Sequence, residues 1–215
     1  MSQSIIGQID QDTLKRYNRR LEKFGYDPMS LGWDNKENQF VRFNAALDLV
    51  DVSGADVLDL GCGFGDFLAA IRARGQKPKS YIGIDINDKL IEVARNVYPD
   101  TVFETHNLLT TPYNRKHDFV FMNGVLNFNL KNNGLDNYEY AMDFIRKAWD
   151  VCKKGLVVDM LSTHLADNYP PEDIVFYYSP EKIFEFSQSL THDVVLKHDY
   201  RPIPQKEFML FLKKS

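Results

Sequence analysis

The chain contains only two cysteines in 215 residues, Cys62 and Cys152, too few for a disulfide framework. It has no apolar run long enough to span a bilayer. Its opening residues, Met-Ser-Gln-Ser-Ile-Ile-Gly-Gln, lack the basic and apolar regions of a signal peptide. A cytoplasmic protein with no membrane partner is therefore expected. Basic charge is not in excess either: 26 Lys and Arg stand against 30 Asp and Glu, for a net charge of −4 and a pI near 5.7. A chain that binds long nucleic acid by neutralising many phosphates usually has a basic surface, so that partner is not expected. The local cluster Arg72, Arg74, Lys77 and Lys79 reads as solvated residues complementing a helix dipole, with a substrate-phosphate role as the alternative. Repeats, low-complexity tracts and zinc-type ligand spacing are also missing. With 44% hydrophobic and 26% charged residues, neither disorder nor a fibrous class is favoured. One domain over residues 1–215 is expected, a helical cap at 1–50 preceding a core at 51–215.

What is present is concentrated at residues 57–68, Val-Leu-Asp-Leu-Gly-Cys-Gly-Phe-Gly-Asp-Phe-Leu. An apolar run breaks into Gly61, Gly63 and Gly65 and restarts as an amphipathic helix. Without Cβ atoms the backbone can turn sharply and a ligand can lie directly against it. A second apolar run, Tyr81-Ile82-Gly83-Ile84-Asp85, ends in a carboxylate able to accept from ribose hydroxyls. This combination marks a nucleoside-binding α/β site. The dinucleotide fingerprint needs a third glycine where this chain has Asp66. A carboxylate at a helix N-terminus repels a pyrophosphate and favours a cation.

The segment Val57-Leu58-Asp59-Leu60-Gly61-Cys62-Gly63-Phe64-Gly65 closely resembles the first motif of class I S-adenosylmethionine-dependent methyltransferases. The resemblance extends over about residues 40–213 and implies S-adenosyl-L-methionine as cofactor. It places Asp59 and Gly61 near the methionine portion, with Cys62 and Gly63 completing the loop, Asp85 on the ribose and Ile86 flanking the adenine. Where the family often has an aspartate contacting the adenine amine, this chain has Asn107, whose amide oxygen could accept the same bond. His106 beside it reads as a loop residue.

Strand and helix signals alternate along the chain. Helices are expected at 10–24 and, capped by Asn35, to about Val50; strands at 55–60, 80–85, 101–104, 118–123 and 155–160, with helices at 65–74, 88–97 and 136–150 between them. A short helix from Ser179 and two strands, 193–200 and 207–213, joined through Arg201-Pro202-Ile203-Pro204, suggest an antiparallel hairpin. The fold expected is α/β: a seven-stranded, doubly wound, mostly parallel sheet ending in an antiparallel hairpin strand, with N-terminal capping helices.

Four further residue choices bear on chemistry. Asn123, at the end of the fourth strand, is expected to line the cofactor pocket; Asn123-Gly124-Val125-Leu126 lacks the prolines and tyrosine of amide- and base-modifying relatives. Arg42, upstream of the glycine motif, could pair with the cofactor's carboxylate or be a solvated helix residue. Tyr17, Tyr26 and Trp33 could form an aromatic lid, with a core role for Tyr17 as the competing reading. His164, just past the fifth strand, is the candidate base for a hydroxyl acceptor, a surface or structurally bonded histidine being its alternative. No metal is expected: Asn123 occupies one strand end and the pair Asp167-Asn168 falls beyond the other. The function expected is methyl transfer to a small molecule at oxygen. The rivals are a non-catalytic cofactor- or partner-binding relative and a nicotinamide-dependent oxidoreductase.

Overall fold

The computed structural model describes residues 3–130, 136–165, 170–200 and 207–214. The pairs Asp167-Asn168 and the loop 201–204 lie outside the described residues. Seven strands form one sheet in the order β3-β2-β1-β4-β5-β7-β6: β1 (Asp56–Leu60), β2 (Ser80–Asp85), β3 (Val102–Thr105), β4 (His117–Met122), β5 (Cys152–Leu161), β6 (Val194–Lys197) and β7 (Glu207–Lys213). β1 to β5 pair in parallel, and β7 runs antiparallel to both β5 and β6. The doubly wound sheet and its C-terminal hairpin follow the sequence expectation.

A strand covered on both faces must be apolar at successive positions, and the sheet is built that way. In β1, Val57 and Leu58 are both fully buried but join opposite layers, as a two-residue period requires. Val57, Phe121, Val157 and Met209 pack with α2 (Lys36–Leu49), α3 (Asp66–Ala73) and α4 (Asp88–Val97). Leu58, Val120, Leu156 and Leu210 pack with α5 (Asn137–Val151) and α6 (Pro180–Gln188). Phe43, Ala46 and Leu47 of α2 thus share one apolar layer with the sheet.

The element ends differ from expectation in three places, each with a physical cause. α1 (Gln3–Phe24) starts seven residues earlier, because Ile6 and Ile9 bury and extend its apolar stripe. β5 starts at Cys152, the residue that closes α5, so no loop intervenes. β6 stops at Lys197 because Tyr200 turns inward and donates to Asp159 Oδ1 at 2.7 Å. Among the described residues no helix is long and apolar enough to cross a membrane.

Strand order reverses direction between β1 and β4, and an open α/β sheet has its crevice outside the carboxyl ends of such strands. α1 and a 3-10 turn at Pro28–Leu31 lie over that end.

Candidate functional site

The cleft at the switch point has a cavity volume of about 130 Å³, or about 1190 Å³ with the open solvent at its mouth included. Its floor is the bend after β1. The Gly61 and Cys62 amides both donate to Ile84 O, at 2.8 and 3.0 Å, pinning the bend to β2. Gly63 has φ +54°, and a Cβ there would sit 2.9 Å from Leu31 Cδ1, so only glycine fits without displacement. Its N–H donates to Asp85 Oδ2 at 3.0 Å, while Asp85 Oδ1 accepts from Asn87 N at 2.9 Å. Burial pushes the Asp85 carboxyl up, against these backbone donors.

Asp59 is buried at the end of β1, where Tyr81 donates to its Oδ2 at 2.6 Å. Burial pushes this carboxyl up to about 7, the Tyr81 bond opposing. Cys62 is buried and its thiol is held well above its usual range by burial, which makes it a neutral wall.

Three polar side chains on the cleft wall have buried atoms without a hydrogen-bond partner: both amide atoms of Asn123, Oε1 of Gln39 and Nε2 of His106. Such groups normally find partners, and leaving one unpaired costs about 1–3 kcal/mol. A bound molecule with donors and acceptors of its own would satisfy them.

α1 closes the cleft from above with Ile9, Asp10, Thr13 and Tyr17, which recur on one helical face. Tyr17 is thus a lid residue. Two loop amides hold the helix down: Asn107 Nδ2 donates to Asp10 Oδ2 at 2.7 Å, and Asn87 Nδ2 to Asn18 Oδ1 at 3.0 Å. Trp33 adds an aromatic wall; its ring fills the space where Gly124 lacks a side chain, a Cβ there falling 2.4 Å from Cη2.

Asp59, Gly61, Cys62, Gly63, Asp85, Ile86, Asn107 and Asn123 are brought together on this one cleft. Arg42 and His164 do not line it. The Arg42 guanidinium is buried, donates through Nε to Glu207 Oε1 at 2.7 Å and through Nη1 to Asn38 O at 2.8 Å, and stacks 4.3 Å behind the Trp33 ring. It braces the wall from outside. His164 has 52% of its side chain exposed, with Nε2 2.6 Å from Glu181 Oε1.

Two expectations need correction. Asp66 does not face the cleft; it accepts from Tyr26 OH at 2.7 Å and Tyr98 OH at 3.3 Å, so its charge is used in tying the segment after α1 to α3. The Asn107 oxygen is not wholly free for a ligand, because it already accepts from Leu109 N at 2.9 Å and keeps one lone pair. Acidic charge nevertheless reaches the cleft through other residues. Asp10, Asp59 and Asp85 line the cleft, and no Lys or Arg does among the described residues. Asp10 and Gln39 went unrecognised in the sequence, since neither sits in a motif.

Residues 57–155 match the family model described as a methyltransferase domain. Among curated proteins none matches the chain in sequence. Solved structures with the same fold include magnesium protoporphyrin IX methyltransferase from Synechocystis PCC 6803 with bound SAH, at 15% identity and a TM-score of 0.64, covering 96% of this chain and 95% of that one. DesVI of Streptomyces venezuelae aligns at 13% identity and a TM-score of 0.60, covering 81% and 92%. A complex of DhpI with SAM and HEP aligns at 15% identity and a TM-score of 0.63, covering 98% and 99%. Residues 57–155 thus carry a methyltransferase domain, that of an enzyme, and the chain around them has the class I Rossmann-like architecture of these solved structures.

Proposed function

We propose that this protein transfers the methyl group of S-adenosylmethionine to a small-molecule acceptor, in the cytoplasm. The observation that carries the reading is the charge of the cleft: a glycine bend walled by three carboxyls and, among the described residues, by no Lys or Arg suits a cationic nucleoside and rejects a pyrophosphate. The unpaired atoms of Asn123 and Gln39 fit a ligand bearing an ammonium, a carboxylate and a ribose.

When bound, the cofactor supplies a methyl group on a sulfonium, whose departure leaves a neutral thioether. In this reading Asp85 holds the ribose hydroxyls and Asp59 faces the cationic methionine end. Ile86 flanks the purine, and Asn123 and Gln39 pair with polar groups of the ligand. The helix α1 and Trp33 exclude water. Because the leaving group is good, placing the acceptor in line with the breaking bond, about 3 Å from the methyl carbon, is the main contribution. Oxygen as accepting atom depends on His164 as base. Its position outside the cleft, paired with Glu181, speaks against that role.

Calorimetry with S-adenosylhomocysteine and with NADH tests the cofactor. Binding of the first and silence with the second is the expected result. Tight NADH binding with no heat from S-adenosylhomocysteine would replace this reading by an oxidoreductase. Transfer of label from methyl-labelled cofactor into small molecules of an extract then separates an enzyme from a non-catalytic relative.

A further inference from the structure

α1 carries one acid into the cleft, Asp10, and the structure holds it against the loop after β3. Two asparagines meet α1, and they are arranged alike. Asn87 follows β2; its oxygen accepts from Lys89 N and Leu90 N, and its Nδ2 donates to Asn18 Oδ1 of α1. Asn107 follows β3; its oxygen accepts from Leu109 N, and its Nδ2 donates to Asp10 Oδ2 of α1. Each bonds its carbonyl oxygen within its own loop and turns its amide group toward the helix. At the β3 end of the cleft the lid thus brings a carboxylate acceptor of its own, beside His106 and Asn107 of the loop. Asp10 uses Oδ2 for Asn107, and Oδ1 has no hydrogen bond to a described residue.

The position of that oxygen gives it a task. Asp85 marks the ribose end of a nucleoside at the end of β2, and Ile86 is the next residue. The base must then extend past Ile86 toward the β3 loop, where Asn107, Leu108 and Asp10 line the wall. We propose that Asp10 recognises the exocyclic amine of a 6-aminopurine, so that purine recognition and closure of α1 are one event. The proposal rests on the cofactor reading above. An ionised carboxylate is an acceptor only. It takes a hydrogen from a 6-amino group and is left unpaired, facing a lone pair, by a 6-oxo group. A site built this way rejects the analogue that lacks the donor.

The test is calorimetry of S-adenosylhomocysteine and S-inosylhomocysteine with the wild-type chain, Asp10→Asn and Asp10→Ala. The wild type is expected to favour the amino compound at least tenfold. Asp10→Asn, whose amide can turn either a donor or an acceptor toward the base, should reduce that preference below threefold by gaining affinity for the oxo compound. Asp10→Ala should weaken the amino compound and leave the oxo compound unchanged. S-adenosylhomocysteine should also protect α1, with its Lys15, Arg16, Arg19 and Arg20, from trypsin in the wild type and not in Asp10→Ala. A wild-type preference retained in both variants would overturn the assignment while leaving the cofactor reading intact. Absence of heat from either compound with the wild type would overturn both.

Discussion

The Gly63 amide donates to Asp85 Oδ2 across 3.0 Å, joining the bend after β1 to the end of β2. With Asn87 N on the other oxygen, the carboxylate is fixed in orientation before any ligand arrives. Loss of this preorganised carboxylate is therefore expected to be felt in ligand binding.

Asp85→Ala is expected to weaken S-adenosylhomocysteine binding by at least tenfold. A hydrogen bond to a charged group contributes roughly 1.5–3 kcal/mol, and the Gly63 amide would lose its acceptor as well. Calorimetry on folded variant, checked by circular dichroism, decides it. Unchanged affinity would remove Asp85 from ribose recognition.

Gly63→Val acts on backbone and space together. The residue has φ +54°, where a branched side chain is strained by roughly 1–3 kcal/mol, and its Cβ would press on Leu31. At about 2–4 °C per kcal/mol for a chain of this size, the melting temperature should fall by roughly 2–12 °C. Binding of S-adenosylhomocysteine should be lost at temperatures where the variant is still folded. A folded variant that titrates like the wild type would show that the ligand does not approach this bend.

Most of the fold was legible because each signal was local. The apolar runs ending at Leu60 and Asp85, the Asn35 cap with its 2.8 Å bond to Asn38 N, and the Ser179-Pro180 start of α6 all act within a few residues. The floor of the cleft was legible for the same reason: Asp59, the glycines and Asp85 sit in one strand-turn-helix-strand unit. Contacts that depend on distant chain segments were not legible. Arg42 and Glu207 are 165 residues apart, and Asn107 and Asp10 are 97 apart. The sequence offers a buried arginine or a loop asparagine several partners, and only packing selects one. Asp66 shows the same effect, since its charge went to Tyr26 and Tyr98 rather than to the cleft.

Arg42→Ala separates bracing from ligand binding. Arg42 is the cation beside two fully buried carboxyls, Asp159 and Glu207; burial pushes both up, and the Arg42 charge opposes this by favouring their ionised forms. Removing one partner of a buried pair costs about 3–5 kcal/mol, so the melting temperature should drop by roughly 6–20 °C. Cofactor affinity measured well below the transition should change less than threefold, because the guanidinium does not line the cleft. A tenfold loss of affinity without a lowered melting temperature would instead place Arg42 on the cofactor's carboxylate.

Asp59 should make cofactor binding depend on pH near neutrality. Its carboxyl is held near 7 in the folded chain, against about 3.9 when unfolded. A raised acid binds its proton more tightly when folded, so this group's contribution to stability is present at low pH and declines as pH rises from about 4 to 7. A cation in the cleft reverses the preference by favouring the carboxylate. Binding should therefore release a proton below pH 7. Affinity should rise with pH, by up to about tenfold per unit, and level off above about 7. Titrations with S-adenosylmethionine between about pH 5 and 8, repeated in two buffers of different ionisation enthalpy, measure both the affinity and the protons released. Asp59→Asn should flatten the profile, whereas Asp85→Asn, which removes a neighbouring charge that raises the Asp59 carboxyl, should keep an inflection but move it to lower pH. A wild-type affinity that does not vary with pH, with no proton released, would mean that the cationic end of the ligand lies away from Asp59.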